Sequence, residues 1–248
     1  MIADILTVMW KERKGLLKQR GSRVRALWVL LIPAIMLGIL LPWQEGHGWI
    51  EGYWSLIGSI LIPILLVSTF IPESFAGERE RHTLGTLLAS RLPDRAILFG
   101  KILIAVIYAW GVSLCVLLLE LITVNITGWD GRIVFFPADV LLIDIVLGLL
   151  LACFMAGIGV MISLRASTVQ GATMTLMATT FLPLIILQVV GMVLLQKGSG
   201  GRERIMEFIT TVDWMQVIMI IMLVMVVASV GAIWAAMVRF QRGRLLFS

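Results

Sequence analysis

Apolar residues in this chain fall in long unbroken runs rather than in the alternation of a half-buried sheet. Six runs are read as spans, over residues 26–42, 53–75, 102–124, 140–164, 171–195 and 214–238. A stretch of roughly 18 apolar residues is long enough to cross a bilayer core as a helix. The first run is the shortest and holds Pro33, which a membrane helix tolerates when neighbours satisfy the freed carbonyl. Ahead of it, residues 1–23 place Ile2, Ile5, Leu6 and Met9 at helical spacing, with Leu16 and Leu17 further along. Lys11, Arg13, Lys14, Lys18 and Arg20 occupy most of the remaining surface. A basic amphipathic helix of this kind lies in the membrane interface. A signal peptide would have a shorter basic region and a small-residue cleavage site. The expected fold is an all-α membrane protein, a single transmembrane domain over residues 1–248. It has six transmembrane helices, preceded by an N-terminal interfacial amphipathic helix.

Composition agrees with the pattern. The chain is 60% hydrophobic and 14% charged, against about 45–50% and about 25% in soluble domains. The net charge of +5 could suggest a nucleic-acid partner, but its distribution explains it differently. With six spans, sixteen of the twenty Lys and Arg fall on the side of the N-terminus and four on the other. That asymmetry places both termini in the cytoplasm and leaves no need for nucleic acid. Trp43, Trp49, Tyr53 and Trp54 gather where an interfacial aromatic belt is expected on the outer side. Cys115 and Cys153 lie inside apolar runs and read as free, packed thiols, without a disulfide or metal site.

Catalytic equipment is sparse. His47 and His82 fall at opposite ends of the membrane, and no phosphate-binding loop is present: Gly100 and Lys101 lack both the upstream glycine and the following hydroxyl. The chain is therefore expected not to be an enzyme. Glu120 and Asp144 are acids inside or near spans, and such groups are functional hypotheses by default. They are read as members of a pathway or packing network. The simpler alternative is that, near span ends, they reach interfacial water. A secondary transporter would carry acids and broken helices nearer the midplane.

The long polar interruption is residues 76–101, and it has a pattern of its own. Glu78, Arg79, Glu80 and Arg81 alternate in sign. Thr83 can cap a helix, and Leu84, Leu87 and Leu88 then form one apolar edge. Pro93 and Asp94 end it. A short helix with a leucine edge ringed by charge suits docking into a groove on a soluble partner.

The string Phe75–Lys101 resembles the signature of ABC transporter type-2 permeases, the membrane subunits of type V ABC exporters. Members show F-x-G-E-[RK]-E-x-G-T-L-E-x-L-L-x-[ST]-P, then a G-K before the next span. Phe75, Gly77, Glu78, Glu80, Thr83, Leu84, Leu87, Leu88, Gly100 and Lys101 match. His82 stands where glycine is common, Gly85 where glutamate is common, and Pro93 comes two places late. The six-span layout, basic N-terminal helix and arginine-rich tail extend the resemblance over the whole chain.

The resemblance implies a non-catalytic half-transporter in a prokaryotic cell membrane, with no cofactor of its own. Its partners would be ABC ATPase subunits holding ATP and Mg, and a second permease copy or sister permease. Glu78, Glu80, Arg81, Thr83, Leu84, Leu87, Leu88 and Ser90 would form the ATPase-coupling interface. The outer connection 196–213 resembles the family's outer re-entrant element, with Ile205, Phe208 and Ile209 as an outer gate. The alternative is an ATPase-independent membrane protein, either a secondary transporter or a scaffold or assembly subunit. The substrate is not legible.

Overall fold

A computed structural model describes residues 1–18, 31–83, 92–196 and 214–240. Among them every regular element is helical: α1 Ile2–Lys18, α2 Leu31–Glu45, α3 His47–Glu51, α4 Leu56–Glu80, α5 Asp94–Thr127, α6 Ala138–Ser163, α7 Val169–Gln196 and α8 Trp214–Arg239. Five of these, α4 to α8, are long and apolar enough to cross a membrane, which makes the chain a multi-pass membrane protein. The expected first span corresponds to α2, a shorter apolar helix; its earlier residues lie outside the described set. Helix α4 runs on through residues 76–80 and α5 begins at Asp94. The polar stretch between them is therefore narrower than the expected 76–101, because charged side chains at a helix end can stay on the helix while reaching water or partners.

Helix α4 is the centre of the packing. It lies against α5, α6 and α7, while α8 packs on α6 and α1 on α5. The main core joins Ile62, Val67, Ile71 and Phe75 of α4 to Ile97, Ile102 and Val106 of α5 and Met155 and Val160 of α6. A smaller cluster at the far end from α1 gathers Trp49, Ile50, Leu117, Val124, Phe136 and Val140. Close helix approach is set by glycine, as in many membrane helix pairs. A Cβ built on Gly157 would stand 2.7 Å from Ala232 Cβ and 2.8 Å from the Ala232 carbonyl carbon, so α6 and α8 touch backbone to backbone. Ser229 of α8 also donates to the Leu150 carbonyl at 3.1 Å.

Prolines inside apolar helices need compensation, and α2 shows how it is supplied. Pro42 has no N–H to give the carbonyl four residues back. That carbonyl belongs to Gly38, inside a π-helical turn Met36–Leu40, and it accepts a hydrogen bond from Thr123 Oγ1 of α5 at 2.8 Å. At the same end Asn125 clasps the α5–α6 connection. Its Nδ2 donates to the Leu121 and Val134 carbonyls, and its Oδ1 accepts from the Val134 N–H.

Helix α7 exposes large apolar side chains around its circumference, and α8 does so along the face turned away from α6. Leu184, Ile185, Ile186 and Leu187 are consecutive and all exposed, as are Leu223, Val227, Val230 and Trp234. A helix apolar on every side belongs in a core or in lipid, and these two helices supply a lipid-facing or subunit-facing surface.

Candidate coupling site

The end of the bundle that carries α1 is built around a buried lysine. Lys101, on the second turn of α5, is 1% exposed. Its Nζ donates to the Ser74 carbonyl and, at 3.1 Å, to Ser74 Oγ. It lies 3.1 Å from Glu78 Oε2 and 3.3 Å from Glu12 Oε1, and 5.1 Å from the Phe75 ring centroid. Lys11 closes the network by binding Glu78 Oε1 at 3.2 Å. Two positive and two negative side chains therefore balance. A buried ammonium is costly unless paired and hydrogen-bonded, and here it is both.

Local sequence dictates this meeting. Ser74, Phe75 and Glu78 share one face of α4 by helical spacing. Gly100 gives α1 a seat: a Cβ there would stand 2.7 Å from Val8 Cβ and 3.2 Å from the Ile5 carbonyl oxygen. Val8 is buried against that glycine, and one turn later Glu12 comes over Lys101. The stripe of α1 that packs is thus Ile5, Val8 and Glu12. Ile2 and Leu6, which the sequence suggested as part of the apolar face, are exposed, where they can meet the membrane interface.

The alternating charges of residues 78–81 each have a separate use. Glu78 joins Lys101 and Lys11. Arg79 Nη1 donates to the Leu164 carbonyl at the end of α6, at 2.9 Å. Glu80 Oε2 accepts from the Val169 N–H at the start of α7, at 3.0 Å. A cation at a helix C-terminus and an anion at a helix N-terminus both complement the helix dipole, so adjacent residues of opposite sign grip the two sides of the α6–α7 turn. Arg81 pairs with Glu73 at 2.7 Å, about two turns back along α4.

Helix α4 ends in a Schellman motif. The His82 N–H donates to the Arg79 carbonyl at 3.0 Å and the Thr83 N–H to the Glu78 carbonyl at 2.9 Å, the pair of bonds that defines it. Such a motif needs a left-handed residue just past the helix, and His82 has φ 56°. Glycine adopts that conformation without the Cβ penalty. This explains why a chain of this pattern would favour glycine at position 82. His82→Gly is expected to raise stability by about 0.5–1 kcal/mol, read as a small upward shift in the thermal unfolding midpoint. An unchanged or lowered midpoint would contradict the backbone assignment.

The sequence-proposed interface is divided by the structure. Glu78, Glu80 and Arg81 are engaged within the chain. Thr83, expected as a cap for the next helix, bonds backwards through its Oγ1 to the Glu78 carbonyl. Leu84, Leu87, Leu88 and Ser90 lie outside the described residues, as do Ile205, Phe208 and Ile209. Sequence reasoning missed Val8, Glu12, Ser74 and Arg79. The adjacent Gly100 and Lys101, at the head of an apolar run, were the available signal for the seat and the buried charge.

Glu120 and Asp144 are not near this site. They lie toward the other end of α4, and each is 1% exposed, so the alternative, that they reach interfacial water, does not hold. Both carboxyls seat on one turn of α4. Trp49 Nε1 donates to Glu120 Oε2 at 3.1 Å, and Ser55 Oγ to Asp144 Oδ2 at 2.7 Å.

No model of a known protein family matches the chain, and no curated protein matches it.

Proposed function

We propose that the chain is the permease subunit of an ATP-driven ABC exporter in a prokaryotic cell membrane. It works with separate ABC ATPase subunits that hold ATP and Mg, and with a second copy of itself or a sister permease. The observation that carries this reading is the anchoring of residues 78–81. This short run, which precedes residues 84–91 in the sequence, is bonded to α5, α1, the end of α6 and the start of α7. A force delivered to residues 78–81 acts on four helices at once, which is what a coupling element needs. Residues 78–81, α1 and the α6–α7 turn lie at one end of the bundle, and this is the end that the charge asymmetry assigns to the cytoplasm.

The chain transmits work and does not hydrolyse ATP. ATP closure of the ATPase pair moves the permease only to the extent that its two states differ in contact energy with that pair. The exposed faces of α7 and α8 leave room for the second permease chain. Leu84→Asp and Leu87→Asp each place a charge on the proposed docking edge. Both variants are expected to insert and to reach normal levels in the membrane, yet to lose most ATPase co-purification and ATP-dependent transport. Undiminished ATPase binding and transport in both would overturn the docking role.

A further inference from the structure

We infer that Glu120 and Asp144 form a buried site for a small monovalent cation, a proton or sodium. The two acids approach the same turn of α4 from α5 and α6. A Cβ on Gly58 would stand 2.7 Å from Glu120 Oε1, so the absence of a side chain there is what admits this carboxyl. Ser55 holds Asp144 Oδ2, and the Ser59 hydroxyl lies beside the same carboxyl.

Each carboxyl is satisfied on one oxygen only. Glu120 Oε1 and Asp144 Oδ1 are buried and have no hydrogen-bond partner among the described residues. Among the described residues no lysine or arginine pairs with either acid: Lys101, Lys11 and Arg81 bind carboxylates at the other end. Among the described residues, the groups around the two acids are Trp49 from α3, Ser55 just before α4, Gly58 and Ser59 of α4, and Val116 on the turn of α5 before Glu120. His47, at the same end as the acids, lies 3.8 Å from Asp130. Two anions buried at one turn of α4 without a counter-charge are not sustained in an apolar interior, so a cation must be taken up there. No group of three His, Cys, Asp or Glu side chains gathers among the described residues. Two carboxyls and hydroxyls fit a monovalent ion rather than a firmly held divalent metal.

The site is independent of any ATPase, and the test needs only the full chain in detergent. Thermal unfolding of the wild type and of E120Q/D144N would be followed from about pH 5 to about pH 9 in choline buffer, with and without sodium. The wild-type midpoint is expected to fall relative to the double amide variant as pH rises, by roughly 4 °C or more. Recovery on adding sodium at high pH assigns sodium; no recovery assigns the proton. Parallel pH and sodium responses in the two proteins would overturn the site. Should E120Q/D144N not fold, labelling of the wild type by a hydrophobic carbodiimide decides it. An adduct at Glu120 or Asp144 that weakens at high pH or with sodium supports the site, and no adduct at any pH overturns it.

Discussion

Replacing Lys101 by methionine is expected to cost the folded protein about 3–5 kcal/mol, the usual consequence of removing one partner from a buried charge network. The lysine is 1% exposed and stands between Glu12 and Glu78. Without it those two carboxylates keep a single cation, Lys11, whose side chain is 55% exposed. Methionine fills most of the volume, so the loss is electrostatic rather than a cavity. Thermal unfolding in detergent should show a fall in midpoint on the order of 10 °C. Neutralising the acids as well, in E12Q/E78Q/K101M, should recover most of that fall, because a matched apolar or neutral set is tolerated where a lone charge is not. A single variant as stable as the wild type would mean that the lysine is not buried among carboxylates.

Gly100→Leu is expected to lift α1 from the bundle. The new Cβ alone would meet Val8 Cβ and Cγ1 at 2.7 Å and the Ile5 carbonyl oxygen at 3.2 Å, and a further three carbons have nowhere to go. Overpacking of this kind costs about 1–3 kcal/mol, and lifting α1 also withdraws Glu12 from Lys101. A cysteine placed by V8C reports the event directly. It should be protected from a water-soluble maleimide in the parent and react at least tenfold faster in the Gly100→Leu background. Equal protection in both would show that α1 does not rest on Gly100.

The helical framework was largely legible in the apolar runs, because a chain in lipid must bond its own backbone and only long helices do so here. Four of the five long helices contain their expected spans to within a residue, and α4 begins three residues later than expected, at Leu56; for the first run only the part from Leu31 is described. What a run cannot say is how far its helix extends into polar sequence. Helix α4 takes in Glu78, Arg79 and Glu80 because each finds a partner on another helix, and those partners are remote in sequence. The same limit hid the lysine network. Gly100 and Lys101 were visible as a motif, and Glu78 as another, but their contact depends on how α4 and α5 pack. Helix α1 had two nearly equal apolar stripes. Ile2 and Leu6 are as hydrophobic as Ile5 and Val8, and only the notch at Gly100 decides which stripe is buried.

Glu120 and Asp144 teach a related lesson. Their places near the ends of apolar runs suggested solvation. The short helix α3 folds Trp49 over Glu120, and Ser55 closes on Asp144, so both acids are sealed inside protein. Depth along a span fixed neither acid's exposure; the local covering elements did.

Purification of the tagged full-length chain from its native membrane in mild detergent, with mass identification of the proteins that come with it, tests the central claim most directly. The account predicts an ATPase subunit carrying a phosphate-binding loop, recovered at about one per permease chain, together with a second permease. The chain recovered alone, under conditions in which other membrane complexes from the same preparation stay intact, would contradict it.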